Sequence, residues 1–309
     1  MQTICKSKVF AFLFARKVKI AMLHILEHTL EHTIADTLGL LPFLFVTYLV
    51  MELMEHYAGN KFNKIIQNSG KWGPFLGATL GVMPQCGFSA AAASFFSARI
   101  VGVGTIIAVF LSTSDEMLPI LLSESVPLAT IVKILATKVV IACVSGYLAS
   151  FVYQKFLQKK DGEVDIHLVC EEEECSCEEG VLKSAVKHTI KIFFYIFAIA
   201  FILNGVIEGV GEDALAQVFS NAPVAGQMVA SLVGLIPNCA SSVVITQLYL
   251  KGVITAGMMM SGLLVNAGIG VLVLLRLNRD MKQNVGIITA VYCFGVAWGI
   301  LLDVLGIVF

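Results

Sequence analysis

Long apolar stretches separated by short polar ones set the pattern of this chain, and most are too long and too poor in charge to be core helices of a soluble domain. They run from Thr37 to Tyr57, Gly73 to Ala98, Ile100 to Leu122, Val126 to Phe156, Ile190 to Val210, Val224 to Leu250, Val253 to Leu277 and Val285 to Phe309. Backbone polar groups inside a bilayer must be satisfied within the segment, so each run predicts helix. Residues 9 to 34 differ: Arg16, Lys17, Lys19, His24, Glu27, His28, Glu31 and His32 interrupt the apolar positions. That stretch reads as an amphipathic helix, either at an interface or packed in a bundle. Residues 157 to 185 form a polar segment with an acidic run from Glu171 to Glu179 that cannot bury a core. The pattern therefore divides the chain into an N-terminal amphipathic helix (1–34), a first transmembrane repeat (35–156), an acidic loop (157–185) and a second transmembrane repeat (186–309).

The word repeat rests on one motif. Gly81, Pro84, Cys86 and Ser89 recur as Gly234, Pro237, Cys239 and Ser242, all 153 residues apart, and Gly104 recurs as Gly257. Each Pro removes a backbone donor inside an apolar run, so the helix must break there, and paired breaks in two halves point to a solute site. A weaker second register, 156 residues, pairs His32-Thr-Ile with His188-Thr-Ile and Glu52 with Glu208.

Composition agrees with the pattern: 57% of residues are hydrophobic, 14% are charged, and mean hydropathy is +0.85. A net charge of -1 gives no footprint for nucleic acid. No cleavable signal is expected, because the short run from Val9 to Ala15 leads straight into Arg16 and Lys17. Cys143 and Cys293 fall in apolar runs and are read as helix packing.

The placement of charge chooses between two topologies. If each Pro segment crosses once, the repeats are parallel and Arg276, Arg279 and Lys282 lie opposite Lys155, Lys159 and Lys160. If each is a re-entrant hairpin or a pair of short helices, the second repeat is inverted and these bases share one side with Lys61, Lys64 and Lys71. The positive-inside rule favours the inverted plan. The expected fold is thus an all-α polytopic membrane protein of two inverted repeats with broken Pro-x-Cys helices, about ten membrane segments in all.

Candidate chemistry gathers at the breaks. Pro84, Gln85, Cys86, Ser89, Pro237, Asn238, Cys239 and Ser242 supply thiol, amide, hydroxyl and freed backbone carbonyls. Asp115 sits in Leu111-Ser-Thr-Ser-Asp-Glu-Met, deep in an apolar run, where a carboxylate costs about 2.5 to 3.5 kcal/mol to insert. It is expected to serve the solute with Thr113 and Ser114, to pair with Lys133 or Lys138 of the next span, or to do both, as a pair that breaks when substrate or a proton binds. The repeat offset places Asn266 opposite Thr113. Asp115 and Glu116 are the candidates for proton coupling, and Cys86, Cys239 and Asp115 for metal ligation. His24, His28 and His32, with Glu52 and His56, form a helical stripe that suits accessory metal ligation, a proton relay or simply a solvated face. Cys170, Cys175 and Cys177 among glutamates suit metal capture or a plain solvated loop.

These residues resemble a family. The paired Gly-x-x-Pro-x-Cys elements, the Ser-Thr-Ser-Asp-Glu stretch and the five-plus-five plan are similar to the ten-transmembrane heavy-metal exporters related to bacterial arsenical permeases, some of which are described as manganese transporters. The resemblance implies secondary-active efflux of a metal or metalloid ion across the inner membrane, and points to Cys86, Cys239 and Asp115. Each element here carries one Cys, followed by Gly87 or Ala240, which departs from the closely spaced cysteines that suit three-coordinate arsenic. Thiolates suit soft ions and carboxylate or amide groups suit manganese, so manganese or a small organic or organoarsenical solute stand as alternatives. No Walker A motif is present, so a proton gradient is the expected energy source. No cofactor and no enzymatic reaction are expected, and the partners are the ion, the bilayer, protons and a further copy of the chain in a homo-oligomer. A membrane metalloenzyme using His24, His28 and His32 is the remote alternative.

Overall fold

In the computed structural model, the described residues are 72–83, 86–114, 117–156, 181–210 and 226–309, with scattered helical positions between 30 and 49. Among them there is no strand. The helices are α1 (Gly73–Gly81), α2 (Cys86–Ser97), α3 (Val103–Ser112), α4 (Met117–Ser123), α5 (Leu128–Phe156), α6 (Val181–Val210), α7 (Gly226–Gly234), α8 (Cys239–Leu250), α9 (Ala256–Val265), α10 (Gly270–Leu277) and α11 (Met281–Val304). Residues 1–29, His32, Glu52 and His56, and residues 157–180 of the acidic loop with Cys170, Cys175 and Cys177 lie outside the described residues, whereas 181–185 of that loop already belong to α6.

The motif offset turns out to govern five consecutive helices. Helices α1 to α5 start at Gly73, Cys86, Val103, Met117 and Leu128, and α7 to α11 each start 153 residues later. Even the turn after α2 repeats. Arg99 and Gly252 share the offset and a left-handed backbone, with φ 57° and 71°, and equivalent amides close both turns.

Packing follows the same plan. In each half the third helix lies between the first and the fifth, α3 between α1 and α5, and α9 between α7 and α11. Glycine pairs let these helices touch: a Cβ on Gly104 would sit 2.3 Å from the Gly146 oxygen, and one on Gly257 equally close to the Gly299 oxygen. Such backbone contact is how helices associate in lipid, where hydrophobic burial drives little. The halves exchange contacts reciprocally, α2 against α10 and α4 against α8. Trp298 Nε1 donates to Ser145 Oγ at 2.9 Å, and those two residues are themselves 153 apart. Equivalent residues that touch lie on the local two-fold relation between the halves.

Among the described residues, four stretches are long and apolar enough to cross a membrane: Val103–Ser123, Leu128–Lys155, Ala256–Leu277 and Met281–Val304. The first and third are interior, every residue of α9 being buried and all of α3 except Thr105. By contrast α5, α6 and α11 turn Val132, Phe151, Phe194, Ile202, Val285 and Val304 outward. A bilayer covers such faces.

Two expectations need correction. The runs from Ile100 to Leu122 and from Val253 to Leu277 are not continuous helices: the first stops after Ser112 and the second after Val265. Cys293 is exposed on α11 rather than packed, whereas Cys143 is half-buried. Between α1 and α2 the Pro segment is a pair of short helices, about 13 and 18 Å long, neither of which spans about 30 Å of hydrocarbon.

Candidate functional site

The interior breaks are made by side chains that compete for the backbone. At the end of α3, the Thr113 amide and hydroxyl both donate to the Val109 carbonyl, at 3.0 and 2.8 Å, and Ser112 Oγ reaches the same oxygen at 3.1 Å. Ser114 Oγ then donates to the Ser112 carbonyl at 3.1 Å. Short hydroxyl side chains bonding to nearby carbonyls weaken the helix ladder, so three in a row are a stop signal without proline. In the second half Asn266 stands where Thr113 does. Its amide donates to Gly262 at 3.1 Å, and its Oδ1 accepts from the Gly268 amide at 3.1 Å. Gly268 takes φ 54°, a conformation that favours glycine, and α10 starts afresh two residues on.

One side chain ties the two breaks together. Lys138 is fully buried in α5, and its Nζ donates to the Thr113 carbonyl and, at 3.0 Å, to the Leu263 carbonyl of α9. Both oxygens belong to helix C-terminal turns, where orphan carbonyls carry partial negative charge and attract a cation. Sharing one ammonium holds them within about 6 Å of each other. Lys133, the other candidate partner of Asp115, is exposed. The repeat equivalent of Lys138 is Val291, so only one half supplies this charge.

The first Pro segment meets the start of α10. Ser89 of α2 is buried against the start of α10, where a Cβ on Gly270 would come within 2.7 Å of the Ser89 Cβ. Beyond α7 the chain turns at Leu235 to Asn238, the Asn238 amide donating to Ile236 at 2.7 Å and Ser241 Oγ to the Asn238 carbonyl at 2.7 Å. Asn238 and Ser242 are buried and Pro237 half-buried. Among sequence-predicted site residues, Thr113, Ser114, Asn266, Ser89, Asn238 and Ser242 are thus all interior. Pro84, Gln85, Asp115 and Glu116, and the side chains of Cys86, Cys239, His188 and Glu208, lie outside what is described. Among the described residues no three His, Cys, Asp or Glu side chains form a metal cluster.

A second polar cluster escaped the sequence reading. Asp303 of α11 accepts from the Gly257 amide at 2.8 Å through Oδ1, and from Thr255 Oγ1 and Gln227 Nε2 at 2.7 Å through Oδ2. It clamps the N-terminus of α9 to α7 and α11. An aspartate in the last turn of an apolar helix was the available signal.

Apolar outer faces, interior helices broken at matched places and a doubled five-helix plan define a multi-pass helical membrane protein. Residues 26–214 match a family model described as "Putative, 10TM heavy-metal exporter", which is more than half of the chain. The chain belongs to this heavy-metal exporter family. Neither a curated protein nor a solved structure matches it. The matched region stops at residue 214, so α7 to α11 are tied to the family region through the structural repeat.

Proposed function

We propose that this chain is a secondary-active exporter of a heavy-metal or metalloid ion, whose substrate passes between the interior helix breaks near the membrane midplane. The observation that carries the reading is the meeting of one break from each half, Thr113 and Leu263 to Asn266, at the ammonium of Lys138. Broken helices leave carbonyls and helix ends for a solute to use, and they are tolerated in a membrane only where protein or a cavity lines them.

Cys86 and Cys239 would give the site its soft ligands, with Asn238, Gln85, Ser89, Ser242 and Asn266 contributing oxygen and Asp115 the charge. Asp115, with Glu116 toward the exit, would carry the coupling proton. Transport rather than an enzymatic reaction is the activity, and the inner membrane the location. Inverted repeats are supported by the hydrogen bond from Gln283 Nε2 to Tyr153 Oη at 3.1 Å, which sets the C-terminal end of α5 beside the N-terminal end of α11.

The alternative cargoes are manganese, for which Asp115 and the amide and hydroxyl oxygens are the fitting ligands, and a small organic or organoarsenical solute. Cells expressing the protein, loaded with arsenite, manganese or zinc in parallel, test the proposal. Accumulation of one of them should fall relative to cells carrying Cys86→Ala or Asp115→Asn, and equal accumulation across the panel sinks the export reading.

A further inference from the structure

Residues of α3, α5 and α11 line a partly open cavity of about 460 Å³. Its walls are Val103, Ile107, Leu148, Val152, Ile287 and Phe294, and its polar groups, Tyr153, Asp280, Lys282 and Gln283, all lie at one end. There the Gln283 side chain is bonded to Tyr153, and Asp280 Oδ1 caps α11 through the Gln283 amide at 3.1 Å.

The cavity exists because small residues stand where the other half has larger ones. Gly286, Ala149 and Ala290 line it, whereas their repeat equivalents are Lys133, Leu302 and Thr137. A Cβ on Gly286 would meet nothing within 4 Å. From Lys282 to Phe294 the lining follows about 18 Å of helix, close to the depth of one leaflet in a bilayer whose hydrocarbon core is about 30 Å thick. The surrounding faces, Phe151 and Val152 of α5 and Val285 of α11, are exposed apolar surface that lipid covers.

Charge decides the kind of lipid. Asp280 is engaged with its own helix start, while Lys282 is exposed and Lys155, also exposed, lies two residues from Tyr153. Such a basic rim attracts anionic headgroups. We propose that this cavity is a binding site for an anionic phospholipid, one acyl chain lying along α11 and the phosphate at Lys282.

The full-length protein, purified in mild detergent and offered equal phosphatidylglycerol and phosphatidylcholine, is examined by native mass spectrometry. Wild type should retain phosphatidylglycerol in preference. Gly286→Leu, at a position where an added Cβ meets nothing, and Ala290→Leu, which enlarges a lining side chain, should each lower retention about tenfold with unchanged thermal unfolding, and Lys282→Glu should abolish the preference for the anionic lipid. Equal retention of the two lipids by wild type, or undiminished retention in both filled variants, overturns the proposal.

Discussion

Lys138 gives up its hydration for helix-end carbonyls, and the exchange is favourable only while the two breaks stay together. An ammonium at the centre of a span costs about 2.5 to 3.5 kcal/mol on insertion scales. Charge-assisted hydrogen bonds of about 1.5 to 3 kcal/mol each offset that cost. Lys138→Met removes the charge but leaves the Thr113 and Leu263 carbonyls short of a donor, so the expected result is lost export with only a modest fall in unfolding temperature. Lys138→Arg keeps the charge and should retain part of the activity. Transport assays beside thermal unfolding in micelles separate these effects; full export by Lys138→Met would remove the ammonium from the mechanism. In the sequence this residue was visible as one of two possible partners for Asp115. That Lys138 rather than Lys133 is buried depends on which face of α5 turns inward, and α5 is too evenly apolar for periodicity to show that.

At the scale of the helix, proline made half of the breaks legible. Pro84 and Pro237 announce that their helices stop, and their spacing revealed the repeat. The interior breaks contain no proline. Ser112-Thr-Ser114 and Asn266-Ala-Gly268 stop their helices through local hydrogen bonds, a signal that an apolar run hides because the same residues also occur within intact spans. The clamp on α9 was hidden for a similar reason: Asp303 finds its donors on three separate segments, which only folding brings together. Asp303→Ala leaves the Gly257 amide at the start of α9 without its acceptor and should destabilise the protein by about 3 kcal/mol. The first half holds Ser150 at the equivalent place beside Gly104, so Asp303→Ser should recover part of that loss. Denaturation of the three proteins in one detergent measures both; an Asp303→Ala variant as stable as wild type would show that the clamp contributes little.

For the whole molecule, the question is how the halves face one another. Two repeats of odd crossing number point in opposite directions, and then the end of α5 and the beginning of α11 share a membrane face. Parallel repeats separate those ends by the length of a span, about 43 Å for the 29 residues of α5. The Tyr153 to Gln283 bond and the Ser145 to Trp298 contact both agree with the antiparallel arrangement. Positive charges point the same way, since Lys155, Arg276, Arg279 and Lys282 then lie together on the side predicted to be cytoplasmic. With native cysteines removed, Tyr153→Cys and Gln283→Cys should be joined by a short bis-maleimide linker in intact membranes, and each alone should react with a membrane-impermeant maleimide only from the cytoplasmic side. A linker that joins them from neither side, with the two single cysteines labelled from opposite faces, would mean parallel halves. The breaks at Thr113 and Asn266 would then open toward the same face, and a single gate rather than two alternating ones would have to control the path.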